Sequence, residues 1–270
     1  MILFEEHMRR TAHEAEAFLG EFLSSYGIMR DEAAYCVCGG GKRFRPALSM
    51  IFAESADSRG RNDILSVSCA LELVHSFSLV HDDLPEMDSD PVRRGKASCH
   101  ARFGHAEALL GGDWLFAAAF RMLGKISSSE IYSKACGIIS EASMKMIEGQ
   151  LLEMRTPDVT IESIIKIHEL KTGALIKGAV ALGALCSESD SYEGSLEEYA
   201  SDIGLLFQLT DDYLDFDEGG KNLAFAAGRD NALKMASDIV LRAKEKAMEY
   251  GRHEKLLVSA ADFLAARIGL

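Results

Sequence analysis

Over most of its 270 residues the chain repeats apolar side chains every three or four positions, and only four prolines interrupt the pattern. That spacing lines one face of an α-helix, whereas a half-buried strand would show strict alternation. The fold class expected is therefore all-α. Nothing reads as a linker rich in Pro, Ser or charge, so a single domain over 1–270 is expected. Helices are predicted over 2–26, from an Asp31 cap to the Gly39-Gly40-Gly41 turn, and from Pro46 to about Ala56. A loop over 57–62 then leads to an Asp63 cap and a helix that Pro85 stops just after Asp83. Further helices are predicted over 102–123, 130–154, 160–187, 195–216, 229–250 and 253–267.

A formal charge of −13 argues against a general nucleic-acid or anionic-membrane surface, because a polyanion needs a basic face. Any anionic ligand must be captured locally. Cys36, Cys38, Cys69, Cys99, Cys136 and Cys186 are scattered and form no C-x-x-C pair. With no signal peptide in the sequence, reduced thiols and a cytoplasmic location are expected. The longest apolar run, GAVALGALC over 178–186, is too short to cross a bilayer, so no stable membrane insertion is expected. Its glycines, Gly178 and Gly183, would let another helix approach closely.

Two acidic clusters stand in apolar surroundings: Asp82-Asp83-Leu84-Pro85-Glu86-Met87-Asp88 and Asp211-Asp212-Tyr213-Leu214-Asp215. In the second, helical spacing puts Asp211 and Asp215 on one face, with Gln208 a turn earlier. In the first, two carboxylates fall at a helix C-terminus, where negative charge opposes the helix dipole by about 0.3–1 kcal/mol each. A divalent cation reverses that sign. Oxygen donors without a Cys or His set suit a hard ion such as Mg²⁺, which also takes phosphate oxygens and water. A single Asp pair would more often decorate a solvated face; two clusters together weaken that reading. His81 beside Asp82 lacks the further histidines that a His-based metal site would need.

The basic residues are also local: Gly41-Lys42-Arg43-Phe44-Arg45-Pro46 and Arg93-Arg94-Gly95-Lys96. Arginine forks pair with phosphate oxygens, so two clusters suit two diphosphates, although either alone would read as surface solvation. Lys171-Thr172-Gly173 breaks a helical pattern with a β-branched residue and a glycine, which costs about 1 kcal/mol in a helix interior. Either a kink aimed at a ligand or a close helix crossing accounts for it.

These segments resemble the trans-prenyl diphosphate synthases. LVHDDLPEMDSDPVRRGKASCH (79–100) is similar to that family's first aspartate-rich region, MIEGQLLEM (146–154) to its central helix, and FQLTDDYLDF (207–216) to its second. The resemblance implies a large helical bundle of the isoprenoid synthase type with a central active-site cavity, assembled as a homodimer. It also implies a Mg²⁺-dependent prenyltransferase that condenses isopentenyl diphosphate with an allylic diphosphate, dimethylallyl or geranyl. Asp82, Asp83, Asp88 and Asp211 would hold three Mg²⁺ ions on the allylic diphosphate, with Asp212 and Asp215 in support. Arg93, Lys171, Thr172, Gln208 and Lys221 would contact the same substrate; Asp82, Asp83, Asp88, Arg93, Lys171 and Asp211 form the catalytic set. Lys42, Arg45, His75 and Arg94 would bind the diphosphate of isopentenyl diphosphate, although a lone His75 would more often be a core histidine.

Charge on the departing diphosphate would be neutralised, the allylic C–O bond would ionise, and the alkene of isopentenyl diphosphate would attack the cation inside an apolar pocket. Phe103 and Phe207 are candidates for that wall or for ordinary core. Phe77 and Ser78 fall where the family sets chain length; Phe77 lies about 7.5 Å deeper along its helix than Asp82. An aromatic there resembles the floor of bacterial farnesyl diphosphate synthases, so farnesyl diphosphate is the expected product, with geranylgeranyl diphosphate as the alternative. The chain departs from the family after Asp215, where only DEGGKN (217–222) remains of a longer stretch, and in Pro91-Val92 and Glu153. A class I terpene cyclase would not need a second DDxxD cluster, and a non-catalytic subunit of a heteromeric synthase would not need both clusters intact.

Overall fold

The computed structural model describes residues 2–54, 58–156, 160–187, 194–218 and 220–270. Helices α1 (Ile2–Ser24), α2 (Arg30–Cys38), α3 (Phe44–Met50), α4 (Ser58–Asp82), α5 (Cys99–Phe103), α6 (His105–Leu123) and α7 (Ser129–Arg155) form its first half. In the second half are α8 (Ile161–His168), α9 (Ala174–Ser187), α10 (Ser195–Leu214), α11 (Leu223–Ala227), α12 (Arg229–Ala247) and α13 (Glu254–Ala266). One short hairpin, β1 (Val92–Arg93) against β2 (Lys96–Ala97), sits between α4 and α5.

Helix α4 is the axis of the bundle. It packs against α3, α6 and α9, and Ile64, Val67, Leu71, Leu73 and Val74 are fully buried. A helix that is apolar on several faces must be enclosed, and each such side chain contributes about 1.5–3 kcal/mol by leaving water. The segments Gly60–Asp82 and Ile161–Ser187 are long and apolar enough to cross a membrane, yet most of each is covered by the other helices. Length and composition thus flag two segments where the sequence reading saw only 178–186. The small residues of α9 serve close packing: a Cβ on Gly183 would lie 2.5 Å from the Ser49 carbonyl oxygen and 2.6 Å from the Phe52 ring.

Several predicted boundaries move. Asp31 lies in the first turn of α2, and Met29 is the cap. Pro46 is the third residue of α3, where its missing N–H is one the helix leaves unpaired anyway. The expected loop at 57–62 is helical from Ser58 onwards, with 55–57 outside the described residues. Asp63 is therefore no cap; its carboxylate instead accepts from the Ser127 amide (3.0 Å) and hydroxyl (2.8 Å), tying α4 to the α6–α7 turn. Gly104, at φ 112°, splits the predicted 102–123 helix. The predicted 160–187 helix carries a π-helical turn at Glu169–Gly173, and Tyr250–Gly251 kinks the chain between α12 and α13.

Candidate active site

A cavity of about 1160 Å³ opens beside the C-terminal end of α4, with Arg45, His75, Asp82, Lys171 and Thr172 among its polar lining. Deeper in, Phe77, Leu84, Leu109, Phe116, Met146, Leu151 and Leu175 make an apolar wall from α4, α6, α7 and α9. Phe77 packs against Phe116 with ring centroids 5.1 Å apart, and Ser78 lines the same wall with its hydroxyl bonded to the His75 carbonyl (2.9 Å). Phe103 lies elsewhere, edge-on to Tyr35, and Phe207 packs on Phe44 (4.9 Å). Neither belongs to this wall.

After α4 ends, the chain curls back on itself: the Asp88 amide donates to the Asp82 carbonyl (2.9 Å) and the Ser89 amide to the Leu84 carbonyl (3.0 Å). That turn sets Asp88 over Asp82. Burial pushes the Asp82 carboxyl up to about 6 against the pull of Lys171, and Asp88 and Asp83 add to the rise. Burial raises Asp88 too. Asp83 has a partner of its own. It is 2 % exposed and accepts from Arg93, whose Nε lies 2.9 Å from its Oδ1, so the pair ties α4 to β1.

The second cluster, at the end of α10, is linked to the cavity lining through Gln208 and Thr172. Asp212, 7 % exposed, accepts from His168 Nε2 (2.8 Å), Gln208 Nε2 (2.9 Å) and the Leu223 amide (2.5 Å). Gln208 therefore partners Asp212 rather than Asp211 and Asp215, as helical spacing had implied. Asp211 pairs with Arg267, whose other nitrogen donates to Thr210 (3.0 Å). Asp215 caps α10 and is exposed.

The Lys171-Thr172-Gly173 anomaly is the π turn, and the close helix crossing is present there. A Cβ on Gly149 would lie 2.4 Å from the Lys171 amide, and one on Gly204 would lie 3.0 Å from Gly173 Cα, so α7 and α10 press on the turn. The bulge in turn brings Lys171 and Thr172 to the cavity. The Lys171 ammonium bonds Glu153 Oε2, Lys221 bonds the Glu153 carbonyl, and Thr172 donates to Gln208 Oε1 (2.8 Å).

The first basic segment divides its labour. Arg43 is buried and bonds Glu72 (2.6 Å) and the Val37 carbonyl (2.5 Å), while Lys42 is exposed. Arg45 alone turns to the cavity, 9 % exposed, with a buried Nε that has no partner. Burial lowers its pKa and, together with Arg45 and Arg94, holds His75 well below its ordinary value, so His75 is neutral. Arg94 reaches the Gly40 carbonyl, and a Cβ on Gly41 would sit 2.9 Å from its guanidinium. The glycine run is thus the seat of an arginine.

Sequence reasoning missed His168, Arg267, Phe116 and the double role of Glu153. Their partners lie far along the chain, so no local pattern marks them. Among the described residues no three His, Cys, Asp or Glu side chains form a closed metal cluster. The donors present still fit a hard divalent ion: the turn after α4 brings the exposed Asp88 carboxylate back toward the half-buried Asp82, with the Lys171 ammonium near both as a charge for phosphate oxygens.

The polyprenyl synthetase family model matches residues 27–262. A short chain isoprenyl diphosphate synthase from Methanothermobacter thermautotrophicus is 36% identical over 227 residues, covering 83% of this chain and 69% of that protein. The farnesyl diphosphate synthase of Micrococcus luteus is 36% identical over 223 residues (80% and 76%), and the geranylgeranyl diphosphate synthase of Methanosarcina mazei 34% over 270 (95% and 81%). Among solved structures, a geranyltransferase from Legionella pneumophila superposes with a TM-score of 0.89 at 30% identity, covering 99% of both chains.

Proposed function

The chain belongs to the polyprenyl synthetase family, and on that footing we propose that it condenses isopentenyl diphosphate with an allylic diphosphate, yielding farnesyl diphosphate. The observation that carries the reading is the cavity's polarity gradient. Carboxylates and cations crowd its mouth, while a wall of Phe, Leu and Met runs inward to the Phe77–Phe116 pair. A diphosphate with an isoprenoid tail has the same gradient.

Family membership implies dependence on a divalent metal, and we assign Mg²⁺, three ions in all, to Asp82, Asp88 and Asp211. When bound, the metal would neutralise diphosphate charge and favour loss of the leaving group. The chain's own groups do the rest. Lys171 and Lys221 supply cations for the allylic diphosphate once they leave Glu153, Arg93 does so from its place on Asp83, and Thr172 and Gln208 orient it. Arg45, with its free buried Nε, and Arg94, Lys42 and neutral His75 hold the second diphosphate. Asp83, Asp212 and Asp215 hold the frame in which these groups stand. The apolar wall excludes water, so a cation formed at the mouth meets the alkene rather than hydroxide.

Leu110 of α6 and Met144 of α7 are exposed beside Leu109, Ile147, Leu151 and Met154, which line the cavity and are themselves 42–57 % exposed, and this supports a homodimer built over that side of the cavity. A cytoplasmic location agrees with both long apolar helices lying within the fold. The test is chromatography of products from purified protein, labelled isopentenyl diphosphate, Mg²⁺ and dimethylallyl, geranyl or farnesyl diphosphate in separate reactions. A fifteen-carbon product is expected. A twenty-carbon product keeps the enzyme class and rejects the farnesyl assignment; no product favours a non-catalytic subunit.

A further inference from the structure

The histidine just before Asp82 lines the same cavity, and it makes a close contact between α4 and α6. Its Nε2 lies 3.0 Å from the Leu109 carbonyl oxygen, and since a carbonyl only accepts, that nitrogen carries the proton. The approach depends on Gly112: a Cβ there would lie 2.2 Å from Nε2 and 2.3 Å from Cδ2, so any side chain would expel the imidazole. On its other side the ring faces Phe77, edge-on at 75° with centroids 4.9 Å apart.

Phe77 is thereby held between two rings, the imidazole on its own helix and Phe116 on α6 at 5.1 Å, itself backed by Phe120 at 5.4 Å. A helical Phe has two open χ1 wells, and neighbours decide which is kept. We infer that His81 is a positioning residue for product length: seated in the Gly112 notch, it pins the Phe77 ring across the end of the apolar cavity. Loss of the imidazole vacates the space into which Phe77 can swing, and the floor drops. This rests on the prenyl-transfer reading above, and it assigns chain length to a contact between two helices rather than to Phe77 alone.

The experiment measures the ratio of products in five proteins: wild type, Phe77→Ala, His81→Ala, His81→Gln and Gly112→Ala. The expected result is that His81→Ala and Gly112→Ala each move the main product one isopentenyl unit longer, as Phe77→Ala does. His81→Gln, whose amide still reaches the Leu109 carbonyl, should keep the wild-type length. Gly112→Ala matters because it displaces the imidazole without altering it. A variant that is only less stable makes less product, but the length ratio of what it makes stays the same. Unchanged ratios in His81→Ala and Gly112→Ala beside a lengthened product in Phe77→Ala would overturn the inference and leave the enzyme reading intact. An unaltered ratio in Phe77→Ala overturns it as well, and a wild type that makes no prenyl product overturns both readings together.

Discussion

In the first aspartate region the helix stops at Asp82 and the chain folds back, so that Asp82 lines the cavity with the exposed Asp88 turned back toward it, while Asp83 turns inward to Arg93. In the second, α10 runs on to Leu214, Asp212 is locked by His168, Gln208 and Leu223, and Asp211 already has a counter-ion in Arg267. Both regions place carboxylates at a helix C-terminus, against the dipole. In each region the second aspartate of the pair is buried against partners of its own, Asp83 on Arg93 and Asp212 on His168, Gln208 and Leu223. The first aspartate of each pair differs: among the described residues Asp82 has no hydrogen-bonded side-chain partner, whereas Asp211 is paired with Arg267.

The largest effect should come from the bare carboxylate. Asp82→Asn is expected to lower kcat by about 10²–10³-fold, the scale on which removal of one preorganised charge-stabilising group is felt. Stability should not suffer. Burial holds the folded pKa of Asp82 at about 6, above the ordinary 3.8, so the charged form is disfavoured on folding and neutralising it removes a penalty. The sign is checked by Tm against pH in metal-free protein: the variant's Tm should equal or exceed wild type at pH 7, and the difference should vanish below pH about 3.8. A large fall in Tm at pH 7 would mean that Asp82 belongs to the frame.

Next in size are the frame aspartates. Asp212→Ala leaves the His168, Gln208 and Leu223 donors unpaired in a buried setting, at a cost of about 3 kcal/mol or more. In a chain of this size that lowers Tm by about 6–12 °C, measurable by calorimetry or circular dichroism. Asp83→Ala should cost less, about 1–2 kcal/mol, because the Arg93 side chain is 36 % exposed and can turn to water. If Asp83→Ala proves the more damaging of the two, the hairpin and not α10 is the anchor of the site.

The sequence announced the helices through apolar periodicity, and the two acidic clusters through their oddity in apolar surroundings. Even the π turn left a mark, since Thr172 and Gly173 are poor choices inside a helix. What a linear pattern could not show is which member of each pair turns inward, because that is decided by partners such as Arg93, His168 and Leu223 on other elements. Arg43 and Arg45 make the same point two residues apart: one meets Glu72 in the core and the other enters the cavity. The start of α4 lies earlier than its sequence suggests because 57–62 is polar and includes a glycine, whereas the helix runs from Ser58 with Arg61 bonded to Glu14 of α1.

The smallest predicted effect bears most directly on the contrast between the regions. Arg267 lies just beyond α13, bonds Asp211 and Thr210, sits 5.8 Å over the Phe207 ring, and its side chain is 13 % exposed. A cation that binds the Asp211 carboxylate must share it with that guanidinium or displace it, so part of its binding energy is lost to repulsion or exchange. Arg267→Gln should therefore tighten Mg²⁺ binding to metal-free protein by about two- to fivefold, equivalent to about 0.4–1 kcal/mol. Isothermal titration of Mg²⁺ measures it, and Asp211→Asn should abolish the gain. Arg93→Gln is the matching change in the first region, and there no tightening is expected, because Arg93 holds Asp83 rather than Asp82. Equal gains in both variants would show that only net charge near the cavity matters, and the distinction between a bare and an occupied carboxylate would fall.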